Sequence, residues 1–378
     1  MKELSPNLAA LFANSVYDSF EQSSLRSSMI GLPKALQNNF NFGDSIKGIT
    51  GTVFDHLFKL SSEFGLIAQG KEGSLYDGHH VIALRGTATK SDIVTDLHVG
   101  ITVTHNGSAA HAGFAKSFRS IQPILARYFS QAPKKTVHCV GHSLGGALAT
   151  LAAEWIKSEY KVPVYLYTFG SPRVGLQGFA VKSTNSIDEV FRCTHGADPV
   201  PMGPVWPFYH TGHDHRLNST QGFSAKEHKM AGDAPGYINT ASQYDSYNDM
   251  QLHNSNQFTP VRLQYEKRHF ASFSLYWAQR LNNALITLLR DAGVISLQFS
   301  FTSGLTFYDA VARALEEIGK ISDRFAEQQK GLLGNMLVFA GKPWVKVTEL
   351  SYKFIRWVLD ITLNQLFSMI NRALALVK

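Results

Sequence analysis

Cysteine is scarce in this chain. Only Cys139 and Cys193 occur in 378 residues, and both fall in apolar, strand-like runs. That usage excludes a disulfide framework and predicts buried, reduced thiols. No Cys/His spacing suited to zinc is present, so neither a metal nor another cofactor is expected. Charge is sparse as well: Asp, Glu, Lys and Arg make up 17% of the chain, and the formal net charge of +7 includes no long basic block. This disfavours nucleic acid as a partner, whereas an anionic lipid surface suits a moderate, dispersed positive charge. Long apolar runs are missing too. The most apolar stretch, toward the C-terminus, is interrupted by Lys353, Arg356, Asp360, Asn364 and Gln365 and falls short of an uncharged membrane span. The opening MKELSPNLAALFANSVYDSF sets an acidic residue before a broken apolar run. It predicts no signal peptide, synthesis in the cytoplasm and, for any export, a signal-independent route.

What is present is the composition of a folded globular protein, 44% hydrophobic and long enough for one large core or two smaller ones. Up to about Thr259, short β-branched or aromatic runs alternate with helical patterns, which predicts an α/β fold on a doubly wound sheet. VIALRGT, TVHCVGHS, VYLYTFGSP and EVFRCTHGADPVP are the clear strands. Their ends carry Gly, Ser, Thr or Asp, where an open parallel sheet places its active-site loops. The segment from Gly203 to Asn256 reads as long ordered loops with short helices. After about Val261, HFASFSLYWAQRLNNALITLLRDAG, TFYDAVARALEEIGKISDRFAEQQKGLLG and the run from Lys342 to Lys378 each show helical apolar spacing. The chain therefore divides into an α/β domain, residues 1–260, and a helical C-terminal region, residues 261–378. The last run carries six basic and two acidic residues, which suits an amphipathic helix against an acidic membrane or a partner. Packing of these helices on each other or on the sheet is the simpler alternative.

The chemistry centres on VHCVGHSLGGALATLAAEWI, where a β-branched run gives way to alanine and leucine at helical spacing and Ser143 sits at the turn. A serine oxygen becomes a nucleophile when it is held clear of the backbone, beside a base and near donors for the oxyanion it creates. Glycines at 141 and 145 fit a turn too sharp for side chains. A helix cap is the simpler role for the serine, but it leaves the glycines unexplained. On hydrolase sheets the acid and base follow the nucleophile in the chain. Asp198, at the end of EVFRCTHGADPVP, is the expected orienting acid. His228, just before an apparent helix, is the preferred base, with His253 and His210 as alternatives. His210, His213, Asp214 and His215 can also be read as metal ligands, although their crowding in one loop argues against it. The oxyanion donors are expected to be the Leu144 N–H and, at the end of VIALRGT, the Thr87 N–H and hydroxyl. Beyond Thr87, Ser91, Ile93, Val94 and Leu97 have the spacing of a short capped helix with one apolar side, as a lid over an apolar site requires.

Taken together, LRGTATKSDIVTDL, HAGFAKSF, VGHSLGGALA, YTFGSPRVG and ADPVP resemble the fungal-type, or class 3, lipases over roughly Leu8 to Tyr237. The resemblance implies an α/β-hydrolase domain hydrolysing acyl esters, with Ser143 as nucleophile, Asp198 as acid and Thr87 and Leu144 at the oxyanion. EHKMAGDAPGY matches the family's setting for the histidine except for an insertion. PVPMGPVWPFYHTG and the helical tail are similar to bacterial lipases, some of which type VI secretion machinery delivers into rival cells. That similarity implies an immunity protein or a chaperone as partner. The expected function is a phospholipase A acting on membrane phospholipid. A triacylglycerol lipase, a soluble esterase and a hydrolase fold kept as a membrane-docking module are the alternatives.

Overall fold

The computed structural model describes residues 2–21, 32–42, 65–85, 100–253, 259–294 and 307–376. The chain opens with helices α1 (Pro6–Glu21) and α2 (Lys34–Asn39), then strands β1 (Phe40–Phe42), β2 (Gly65–Gly70), β3 (His80–Leu84), β4 (Ile101–Val103) and β5 (Ala109–His111). Helix α3 (Ala112–Gln131), β6 (Val137–His142), α4 (Leu144–Tyr160), β7 (Val164–Phe169), β8 (Gly175–Leu176), α5 (Gln177–Ser186) and β9 (Glu189–Thr194) follow. Strands β10 (Phe208–Tyr209) and β11 (His213–Arg216), helix α6 (Tyr237–Ala241) and β12 (Gln251–His253) complete the α/β part. The C-terminal region holds α7 (Leu275–Asp291), α8 (Phe307–Ile321), α9 (Asp323–Phe339) and α10 (Tyr352–Ala375).

Eight strands form the central sheet in the order β1-β2-β3-β6-β7-β9-β11-β12, and β10-β8-β5-β4 form a small second sheet. The run β3-β6-β7-β9-β11 is parallel, with β2 and β12 antiparallel at its two ends. Because these parallel strands follow chain order, right-handed crossovers put α3, α4 and α5 on one face. Side chains alternate accordingly. Ile82, Leu84, Cys139 and Leu166 join Phe118, Leu151 and Phe179 in the core beneath those helices. Val81, Ala83, Val140 and Tyr167 meet Phe12 of α1, Leu36 of α2 and Tyr237 of α6 on the other. Helices thus cover both faces, and the Leu4 N–H donates to the buried Tyr167 hydroxyl at 3.0 Å, tying the chain's start to the sheet. Both cysteines are free and buried.

One strand departs from the sequence reading. His213–Arg216 joins the parallel sheet as β11, although the segment reads as loop. Its sequence, HDHR, has no apolar alternation to announce a strand. Its place rests instead on polar partners: buried Asp214 accepts from Thr194 Oγ1 at 2.5 Å and from Arg216 Nη2 at 2.8 Å.

The C-terminal helices form their own core. Leu281, Leu285, Leu289, Val311, Leu315, Leu333 and Leu337 pack with Ile355, Val358 and Leu359 from the first half of α10. The second apolar run of the sequence is broken in two because Ser322 caps α9, accepting the Phe325 N–H at 3.4 Å. Helix α10 belongs to two cores. Its second half turns Leu363, Leu366, Phe367 and Ile370 into the core under the sheet's crossover helices. The apolar stripe that the sequence offers to a membrane or a partner is therefore spent inside the chain. Among the described residues, no helix is long and apolar enough to cross a membrane. Phe367 is 3% exposed. Phe367→Ala is expected to lower the unfolding free energy by about 3–5 kcal/mol in urea denaturation; a change below about 1 kcal/mol would mean that α10 only rests on the sheet region.

Candidate active site

Ser143 stands between the C-terminal end of β6 and the start of α4 with φ 58° and ψ −132°. A non-glycine residue there costs about 1–3 kcal/mol, so its neighbours must hold it. They do so by close approach. A Cβ on Gly141 would lie 2.2 Å from the Gly145 carbonyl oxygen, so the strand and the helix could not meet this closely with any other residue. The Ser143 N–H donates to Phe169 O on β7 at 2.9 Å, and Gly146 N–H closes back on Ser143 O at 2.9 Å. Leu144 opens the 17-residue helix α4, whose N-terminal N–H groups concentrate partial positive charge beside the serine.

Two loops converge on the hydroxyl. The turn after β9 delivers Asp198, and a 3-10 turn, Ala225–His228, delivers His228. Ser143 Oγ–H donates to His228 Nε2 at 2.8 Å, and His228 Nδ1–H donates to Asp198 Oδ2 at 2.8 Å. The ionised carboxylate accepts only, which fixes that tautomer. Tyr237 O–H also donates to Oδ2 at 2.7 Å, and Val200 N–H donates to Oδ1 at 2.9 Å. Ser143, Asp198 and His228 are 3%, 1% and 0% exposed. Gly170, at φ 55°, passes directly beneath: a Cβ on it would lie 2.6 Å from Asp198 Oδ2 and 3.0 Å from His228 Nδ1. This gives the FGSP stretch its glycine.

The loop bearing His228 is pinned by two buried histidines. His142 Nε2–H donates to the His228 carbonyl oxygen at 2.7 Å, while its Nδ1 accepts from Tyr17 O–H at 2.9 Å. His195 Nδ1 bonds to the neighbouring Glu227 carbonyl oxygen at 2.8 Å. Burial first, and the adjacent His228 second, hold the His142 pKa well below the usual histidine range. His142 stays neutral, so a charge appearing on His228 meets the carboxylate and no second cation, although the two rings are only 4.7 Å apart. Burial also lowers His195, whose ring stacks on Tyr237 at 3.9 Å. The insertion seen in EHKMAGDAPGY closes on itself through Tyr237 N–H to Lys229 O at 3.0 Å, which returns Tyr237 to the site.

The structure thus brings Ser143, Leu144, Asp198 and His228 together. His210 is buried elsewhere, with Nε2 on the Pro201 carbonyl oxygen at 2.8 Å. His253 lies on the edge strand β12, its backbone opposite Asp214. His213, Asp214 and His215 lie in β11, where Asp214 is taken by Thr194 and the arginines. Thr87 and the segment with Ser91, Ile93, Val94 and Leu97 lie outside the described residues. Sequence reasoning gave no role to His142, His195, Tyr17 or Tyr237. Only the placement of His142 beside Ser143 in VGHSLGG, and the tyrosine closing EHKMAGDAPGY, could have pointed to them.

A strand, a sharp serine turn and a helix, with acid and histidine following on later loops, form the α/β-hydrolase arrangement. Residues 81–208 match the lipase (class 3) family. The match includes Ser143 and Asp198 and stops before His228. The chain is 34% identical over 146 residues to secreted mono- and diacylglycerol lipase 1 of Fusarium solani, covering 36% of this chain and 44% of that one. It is 35% identical over 121 residues to Toxin TseL of Vibrio cholerae, covering 31% and 19%. The chain spans less than half the length of either relative. Among solved structures, an MDLA mutant from Penicillium cyclopium is 22% identical, with a TM-score of 0.42 over 65% of this chain and 84% of that one.

Ser143→Gly and Ser143→Ala both lack the hydroxyl, but only alanine keeps a Cβ at φ 58°. The glycine variant is expected to be more stable by about 1 kcal/mol in chemical denaturation; equal stabilities would show that the turn carries no strain.

Proposed function

We propose that the chain is a serine-dependent lipase, a carboxylic ester hydrolase with Ser143, His228 and Asp198 as its triad. The observation that carries this is the continuous hydrogen-bonded chain Oγ to Nε2 and Nδ1 to Oδ2, each link 2.8 Å, at a strained strand-to-helix turn. Ser143 Oγ attacks the ester carbonyl carbon as His228 Nε2 takes its proton, and Asp198 stabilises the imidazolium. The tetrahedral oxyanion forms beside the Leu144 N–H at the start of α4, with Thr87 as the second donor. Collapse breaks the bond to the leaving alcohol, which takes the proton back from His228. Water, activated by the same histidine, then cleaves the acyl-enzyme and releases a fatty acid.

The substrate we propose is membrane phospholipid, cleaved in the manner of a phospholipase A. The net charge of +7 supports an anionic lipid surface as the docking ground. Neutral acylglycerol is the second reading, supported by the Fusarium solani relative. The likeness to Toxin TseL supports a role as a toxin; we propose other bacteria as its target and an immunity protein as the partner that holds it in check.

Fatty-acid release from anionic phospholipid vesicles and from triglyceride emulsion, for the full chain and Ser143→Ala, tests the reading. Release from vesicles is expected to exceed release from emulsion and to fall by about three or more orders of magnitude in the variant. A folded chain that releases nothing from any lipid would remove the enzyme reading; release from emulsion alone would leave the acylglycerol reading in its place. Directing the chain to a bacterial periplasm is expected to arrest growth in a Ser143-dependent way. Harmless export of an active enzyme would remove the toxin role.

A further inference from the structure

A second concave site lies away from the serine. A cavity of about 830 Å³ opens between the sheet and α7, lined by Arg173, Arg192 and Arg216 on one side and Asn282 and Arg290 on the other. Asp198 contributes to its lining, but neither Ser143 nor His228 does. Arginines outnumber carboxylates in its lining. Four arginines face two carboxylates, and both carboxylates are already engaged: Asp198 by His228 and Tyr237, and Asp214 by Arg216 at 2.8 Å and Arg192 at 3.6 Å.

Arg173 is the odd member. Its Nη1–H donates to the Pro204 carbonyl oxygen at 3.4 Å, and no carboxylate among the described residues pairs with it. Burial, and then the charge of Arg192, pull its pKa down to about 10, so two guanidinium groups repel one another across the cavity wall. The same field, added to burial, keeps His210 well below the usual histidine range. Arg173 is half-buried, and a guanidinium withdrawn from water without a carboxylate partner is costly; an anion in the cavity relieves that cost. The donor geometry favours phosphate, whose tetrahedral oxygens can be shared among several planar guanidinium groups. The volume exceeds what a bare ion needs, and Trp206, Tyr209 and Trp277 supply aromatic wall for an organic portion.

We propose that this junction between the α/β part and the C-terminal helices is a binding site for a phosphate-bearing small molecule. The phosphate is either a glycerophospholipid headgroup or a free phosphate ester. The site shares Asp198 with the triad reading but neither Ser143 nor His228, so binding there can be read without turnover.

The test uses the full chain carrying Ser143→Ala, so that turnover plays no part. Calorimetric titration with inorganic phosphate, glycerol 3-phosphate and short-chain phosphatidic acid is expected to show saturable one-site binding. Arg173→Gln and, separately, Arg290→Gln should each weaken it at least about tenfold, the loss expected for a charged hydrogen-bond donor. Lys134→Gln, on the exposed surface, should leave it unchanged. Tightest binding of phosphatidic acid supports the site as a headgroup pocket, and equal or tighter binding of the soluble probes supports it as a site for a free ester. Absence of saturable binding by any probe, or affinity unchanged in both arginine variants, overturns the proposal. Should Arg173→Gln fail to fold, Arg290→Gln decides alone.

Discussion

The turn at Ser143 is the constraint around which the molecule is arranged. A side chain held at positive φ between β6 and α4 is unfavourable locally, and it persists because the surroundings leave it no alternative. Strand β7 fixes its N–H, Gly141 lets β6 and α4 close on one another, Gly145 lets α4 approach the end of β3, and α4 is buried along most of its length. Each feature is an ordinary packing or hydrogen-bonding solution. Together they present one oxygen at the point where two later loops meet.

Those loops are held by polar groups that have left water. Around His228 lie two further buried histidines, a buried tyrosine and a carboxylate with three hydrogen-bond donors on it. Such a network is tolerable only when its members are satisfied, and then it is rigid. Neutral His142 is the informative member. It holds the His228 backbone without adding a second positive charge beside the imidazole that must accept a proton in the proposed reaction.

Much of this was legible in the sequence wherever the signal was local. Apolar β-branched runs announced β3, β6, β7 and β9, and glycines around a serine announced the turn, because both depend on neighbours a few residues away. Asp198 followed from its strand end. What was hidden depends on distance along the chain. His142 meets the His228 carbonyl across 86 positions, and Tyr237 meets Asp198 across 39, so no spacing rule reveals either. Strand β11 was hidden because its side chains are polar and find their partners on β9. The double allegiance of α10 was hidden too, since an apolar stripe states how wide a buried face is, not what covers it.

The C-terminal helices complete the account: α10 closes a core of the sheet at one end and its own helical core at the other, so the two regions share one helix. The claim at the centre is that Ser143 is a nucleophile activated by His228. Exposure of the full chain to an alkyl fluorophosphonate, followed by peptide mass spectrometry, tests it most directly. The account predicts one adduct per chain, on Ser143, that His228→Ala abolishes. An adduct on another residue, or none on a folded chain, would contradict it.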